Sequence, residues 1–310
     1  MKREKKRDDR DYDTTQLHES GHGKSLGRDY SAHFFRWSFA RRFIKTADNV
    51  LEVGCGQDKP LSKILTGGAA AHVNKYVGVD LNKIKPSESQ RLTFLGEFNF
   101  VERYKELLKG EFKEGFDVVV HLEVIEHMKV EHGTKLLKAC FASLKPGGVM
   151  LMSTPCYDGK RHAANHIHEY TVPELKNVTE KVGFKIEKRY GTFMYIKHVG
   201  KATEILGIDN MDILALRQLL SQYYDNDAIS CIFAPLYPDH ARNNLWVCSK
   251  PNKLVSGFAS GGKRTGKLIQ QNLNFEGTTT GRTKTNQSDI KRLKPITGSK
   301  YKPNAKGKPF

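Results

Sequence analysis

Asn49-Val-Leu-Glu-Val-Gly-Cys-Gly56 is a short apolar run that carries one acid, Glu52, and breaks into two closely spaced glycines. Val50, Leu51 and Val53 suit a buried strand. Gly54 and Gly56 let the backbone turn tightly and approach a ligand where a Cβ would obstruct it. A strand that feeds a glycine turn opens the ligand-binding half of a doubly wound sheet. The next apolar run, Lys75–Val79, closes on Asp80, 26 residues after Gly54. An acid at that place can accept hydrogen bonds from both hydroxyls of a ribose. The dinucleotide-type Gly-x-Gly-x-x-Gly is absent, because residue 59 is Lys.

Outward from this turn, short apolar runs alternate with helical stretches. Candidate strands are Asn49–Val53, Lys75–Val79, Leu92–Leu95, Asp117–His121, Val149–Ser153, Lys185–Tyr190 and Asn244–Ser249; helices are expected near Leu61–Leu65, Phe100–Leu108, Thr134–Leu144 and Val172–Val182. The alternation predicts an α/β, doubly wound, mostly parallel seven-stranded sheet. Lys145-Pro-Gly-Gly148 reads as a turn between the helix at Thr134–Leu144 and the fifth strand. Upstream, Phe35, Phe39 and Phe43 recur at helical spacing within Ser31–Ile44, with Arg36, Arg41 and Arg42 beside them. The stripe docks the helix on the sheet or makes it a lid over cofactor or nucleic acid. Residues 200–243 interrupt the alternation with a helical insertion around Asp212–Tyr224, before the last strand, where a substrate-recognition element is naturally placed.

Charge divides the 310-residue chain unevenly. Of the net +17, residues 250–310 carry fourteen Lys or Arg against two acids, residues 1–29 eight against seven, and the remaining core twenty-nine against twenty-five. Residues 1–29 read as a flexible lead-in, 30–250 as the catalytic domain, and 251–310 as a basic tail with too little apolar surface to offset its ordering entropy. Cys55, Cys140, Cys156, Cys231 and Cys248 form no Cys-x-x-Cys pair, so neither a disulfide framework nor a zinc knuckle is expected and a reducing, cytoplasmic compartment fits. No apolar run approaches membrane-spanning length, and no secretory leader is expected.

In order and spacing, Glu52-Val-Gly54-Cys-Gly56, Asp80, the run Phe116–His127 and Leu144-Lys-Pro-Gly-Gly-Val149 resemble the class I S-adenosylmethionine-dependent methyltransferase family, over about residues 48–190. The family's Gly-x-Gly-x-Gly lacks its third glycine here, where residue 58 is Asp. The resemblance implies a Rossmann-like fold with S-adenosylmethionine held by Glu52, Gly54, Cys55, Gly56, Asp80 and Leu81, Glu97 and Phe98 near the adenine, and His121 and Leu122 on the methionine side. The blend of motifs also resembles methyltransferases carried by bacteriophages, which would place the chain in a host cytoplasm.

Glu123-Val-Ile-Glu126-His127 follows the fourth strand, and Asn165-His166-Ile-His-Glu-Tyr-Thr171 follows the fifth. Clustered carboxylates and imidazoles can hold a divalent metal or supply a general base. The pair resembles two metal-using groups, the O-methyltransferases of ubiquinone synthesis and the small-RNA 3′-end 2′-O-methyltransferases. The first implies Glu123, Glu126 and His127 as ligands, and the second adds His166, although the acid and both aromatics of its Asp-His-x-Phe-Glu-Trp-Thr pattern differ here. On this reading Mg or a similar ion is a cofactor, and Glu123, His127 and His166 carry the chemistry. Without metal, His127 serves as a base. Cys156, after Pro155, invites comparison with cytosine methyltransferases that attack through a thiolate, but no Pro-Cys follows the fourth strand.

The acceptor is less legible. The basic tail and the arginines among the aromatics of the first helix favour an O or N of a nucleic acid or modified nucleotide. The nearly neutral core favours a small-molecule metabolite O-methyltransferase, and the missing third glycine leaves a non-catalytic binding protein as a further alternative.

Overall fold

The computed structural model describes Tyr12 and residues 28–66, 73–159, 163–194 and 211–252. Most of the lead-in, part of the insertion and the tail from residue 253 onward lie outside them.

Parallel strands covered on both faces are near-continuously apolar, and that pattern builds the centre of the sheet. β1 (Asn49–Val53), β2 (Lys75–Val79), β4 (Leu92–Leu95), β5 (Phe116–Leu122) and β6 (Leu144–Pro155) run parallel, with β2 and β5 on either side of β1. β8 (Asn243–Ser249) lies antiparallel between β6 and β7 (Lys185–Phe193). A two-residue strand, β3 (Ser87–Glu88), pairs antiparallel with the edge of β4 and completes the order β3-β4-β2-β1-β5-β6-β8-β7. All seven expected strands are present; β3 is too short to leave a periodic signal. Connectivity reverses beside β1, so the crevice at the carboxyl ends of β1 and β5 is the expected ligand position.

Helices cover both faces. α3 (Phe100–Leu107), α4 (Val130–Ser143) and α5 (Val172–Val182) share one core with Leu51, Val53, Val119 and Trp246. α1 (Arg28–Ala40) and α2 (Pro60–Thr66) share the other with Val50, Val118 and Leu151. α5 starts on a reciprocal cap, Thr171 accepting from the Glu174 N–H while the Glu174 carboxylate accepts from the Thr171 N–H, and ends on Gly183 at φ 112°. The insertion contributes α6 (Met211–Leu220) and α7 (Asn226–Phe233). α7, capped by Asp225, escapes the sequence reading because it is only two turns long.

Two sequence expectations change in detail. Lys145-Pro-Gly-Gly148 lies inside β6: Leu144 already pairs with Phe116, and the irregularity is absorbed by a register shift and by Gly147 at φ 78°. The aromatic helix docks rather than standing free, since Phe39 and Phe43 pack edge-on and tilted against Tyr190 of β7, at 5.0 and 5.6 Å between ring centroids. Among the described residues no helix is long and apolar enough to cross a membrane.

Candidate active site

The glycine turn is stitched to the end of β2. The Gly54 and Cys55 N–H groups both donate to the Val79 carbonyl, at 2.8 and 3.2 Å. Gly54 and Gly56 take φ of 76° and 68°, a region other residues enter at a cost. A Cβ on Gly54 would lie 2.6 Å from Cγ2 of Val124, so this glycine also makes room for the segment after β5; a Cβ on Gly56 would meet open space. The Asp80 carboxylate accepts the N–H of Gly56 at 2.9 Å and of Asn82 at 2.8 Å. It is buried at the strand end.

Glu52 is buried beneath this turn and accepts the Tyr76 hydroxyl. Burial, reinforced by the Asp80 charge and opposed by Arg36, pushes its carboxyl up to about 8. Beside Asp80, Leu81 is an exposed apolar side chain. Glu97, at φ 51°, presents its side chain to solvent. Phe98 turns into the core, under the Arg103 guanidinium, while its N–H donates to the Asp80 carbonyl at 2.9 Å. Cys55 and Leu122 are core residues of the α1–α2 face. His121 is fully buried, neither ring nitrogen has a hydrogen-bond partner among the described residues, and burial pulls its pKa down to about 3.

Glu123 follows β5 directly, at φ 57°. Its carboxylate accepts Ser153 Oγ at 2.8 Å and Asn243 Nδ2 at 2.7 Å, and Arg36 Nη1 lies 3.3 Å away. Arg36 of α1 therefore points inward instead of lining a basic surface. It is the only Lys or Arg among the described residues that is buried. Its inward turn was not foreseen, because α1 carries aromatics on several sides.

The next turn assembles a different group. One ligand atom each of Glu126, His127 and His166 lie within 4.8 Å of one another. Glu123 is not part of this cluster, so the four expected ligands separate into three and one. Glu126 is fully buried and accepts Thr154 Oγ1 at 3.0 Å. His127 Nδ1 lies 2.9 Å from the Asn165 carbonyl, and His166 Nδ1 lies 2.6 Å from Glu169 Oε1. Both partners only accept, so in the neutral rings Nδ1 carries the hydrogen and Nε2 the lone pair. The rings meet edge to face at 5.0 Å. His168 turns away, its Nε2 on Glu174 at 2.8 Å at the start of α5.

Glu169 belongs to the quoted motif, three residues from His166, but carried no assigned role, and no local signal marks its other partner, Arg242, 73 residues on. Burial pushes the Glu169 carboxyl up, but hydrogen bonds from His166 and Arg242 outweigh it and hold the group below the usual carboxylate range. Cys156 and Arg242 line a neighbouring cavity of about 300 Å³ together with Arg189 and His240. Burial pushes the Cys156 thiol up to about 11, which disfavours a thiolate nucleophile.

Residues 32–189 match a family model described as a methyltransferase domain. A ubiquinone biosynthesis O-methyltransferase from Pseudomonas putida is 27% identical over 170 residues, which cover 54% of this chain and 67% of that protein. A protein of the same description from Pseudomonas fluorescens is 34% identical over 107 residues, 34% of this chain and 43% of the relative. The chain thus spans two thirds or less of the length of these relatives. Among solved structures, a SAM-dependent methyltransferase from Archaeoglobus fulgidus aligns over 72% of this chain and 95% of its own, with 17% identity and a TM-score of 0.47.

Proposed function

The chain belongs to the class I S-adenosylmethionine-dependent methyltransferase family, and from that premise we propose that it methylates a hydroxyl oxygen, with Glu126, His127 and His166 holding a divalent cation at the acceptor. The observation that carries this reading is the convergence of those three ligand atoms, with Nδ1 of each imidazole held by an acceptor outside the group. Two imidazoles and one carboxylate suit Mn, Co or Zn better than Mg, which prefers an all-oxygen shell. A cation bound there would lower the pKa of an acceptor hydroxyl.

The remaining roles fall to the chain's own groups. Asp80 accepts the ribose hydroxyls, the turn at Gly54–Gly56 admits the cofactor's close approach, and Leu81 offers an apolar surface to the adenine. Arg36, whose Nε has no partner among the described residues, suits the cofactor's carboxylate. Glu123, tied to Arg36, Ser153 and Asn243, fixes α1 against the ends of β6 and β8.

Three protein ligands leave coordination positions for an acceptor that chelates through two neighbouring oxygens, as a catechol does. The ubiquinone biosynthesis relatives are O-methyltransferases, which agrees with transfer to an oxygen. A second reading, the terminal ribose diol of an RNA, is favoured by the fourteen Lys or Arg of residues 250–310. The first is preferred because Arg36, one of the arginines that would have stacked on bases, is buried.

Methyl-labelled cofactor offered with catechols, RNA, DNA, protein and amines, with Mn²⁺ or with a chelator, tests the assignment. Label on a catechol oxygen, lost with the chelator, is expected. Metal-dependent label on RNA 3′ ends would select the second reading, and metal-independent label on an amine would overturn both.

A further inference from the structure

Outside the three candidate ligands, one chain of hydrogen bonds leads away from the site without a role in the reading above. His166 Nδ1 sits 2.6 Å from Glu169 Oε1, Glu169 Oε2 sits 2.6 Å from Arg242 Nη2, and Arg242 Nη1 sits 2.6 Å from the Cys156 carbonyl. The Ala163 N–H adds a bond to Glu169 Oε1 at 3.2 Å. Every partner is itself held. The Arg242 and Cys156 backbones are paired, Cys156 N to Arg242 O at 2.7 Å, and the Arg242 N–H donates to Phe193 O at 2.8 Å. The side chain of Glu169 is fully buried, with His166 8% and Arg242 13% exposed.

A buried carboxylate with both oxygens engaged cannot swing, and it accepts only, so the hydrogen of His166 is confined to Nδ1 and the ring to one orientation. Charge adds to this: Arg242 neutralises an anion that burial would otherwise make costly. We propose that Glu169 and Arg242 are a positioning pair for His166, so that the affinity of the Glu126–His127–His166 group for a divalent cation is set from the segment leading into β8. The inference rests on the metal reading above but concerns residues that touch neither cation nor substrate. On the same ground His168, two residues away and bonded to the half-buried Glu174, should not substitute for His166.

Two measurements on the full chain test it. The first is titration of Mn²⁺ into wild type, Glu169→Gln and Arg242→Lys; the second is the ¹⁵N spectrum of the His166 ring at fixed pH without metal. The pair predicts a single Nδ1–H tautomer in wild type and a mixture in Glu169→Gln, with Mn²⁺ affinity lowered about 10- to 100-fold. Arg242→Lys should be milder, because a lysine can meet the Glu169 carboxylate but not the Cys156 carbonyl in the same geometry. A merely structural role would lower the melting temperature while leaving tautomer and relative affinity unchanged, and that result overturns the proposal. If wild type binds no Mn²⁺ the metal reading falls; the tautomer comparison still decides whether Glu169 positions His166. Should Glu169→Gln fail to fold, Arg242→Lys carries both readouts, and a wild-type tautomer and affinity in that variant would count against the pair.

Discussion

Replacing Gly54 by Ala should damage the protein in a way that replacing Gly56 does not. Both glycines hold positive φ, so each alanine incurs about 1–2 kcal/mol of backbone strain. Only at Gly54 does the new Cβ meet an obstacle, Val124 Cγ2 at 2.6 Å, and relieving such overpacking typically costs about 1–3 kcal/mol more. The expected losses are therefore about 2–5 kcal/mol for Gly54→Ala and about 1–2 kcal/mol for Gly56→Ala. Urea unfolding of the cofactor-free chain reads both. Adding Val124→Ala to Gly54→Ala removes the colliding methyl and should return about 1 kcal/mol or more as a favourable coupling in the double-mutant cycle. For affinity the order reverses relative to stability: if the cofactor approaches through the open space at Gly56, as proposed, Gly56→Ala should weaken S-adenosylhomocysteine binding out of proportion to its stability loss. Equal unfolding losses for the two variants, within about 0.5 kcal/mol, together with no coupling to Val124, would refute the idea that this glycine makes room for the segment after β5.

Further outcomes follow from the same geometry. The folded pKa of Glu52, about 8, exceeds its ordinary 4.5, so the native state holds the extra proton between those values. Stability should fall as pH rises through that window, by up to about 1.4 kcal/mol per unit; melting curves of Glu52→Gln should lack this decline, and identical profiles would contradict it. His168→Ala should leave Mn²⁺ affinity unchanged and cost under about 1 kcal/mol, the scale of an exposed ion pair, whereas His166→Ala should abolish tight binding; calorimetry distinguishes them. Deleting residues 253–310 should leave metal-dependent labelling of a catechol intact, and labelling that falls with the deletion would contradict a tail-independent small-molecule site.

The sheet was legible because its central strands are nearly unbroken apolar runs, and the acids Glu52, within β1, and Asp80, just past β2, mark the ligand side. The glycine turn and its partner acid were equally plain, since backbone geometry there admits few residue types. The metal cluster was legible only in part. Glu123 and Glu126 stand three residues apart and look alike in sequence, but a left-handed φ of 57° at Glu123 and a 3-10 turn at Ile125–His127 send their carboxylates to different partners. No spacing rule anticipates that reversal. The pairing of Glu169 with Arg242 stayed hidden for another reason, since it depends on β8 returning antiparallel beside β6. Phe98 carried an adenine-side expectation because it follows a strand end, yet its ring is claimed by the apolar core between β1, β2 and α3.

The most direct test of metal-assisted O-methylation is a crystal of the full chain grown with S-adenosylhomocysteine and soaked in Zn²⁺, examined by anomalous scattering. The account predicts a peak at about 2.0–2.2 Å from Nε2 of His127, Nε2 of His166 and a carboxylate oxygen of Glu126, with the cofactor's sulfur facing it and Glu123 still bonded to Ser153 and Asn243. A seated cofactor with no peak there, or a peak ligated by Glu123, would contradict it.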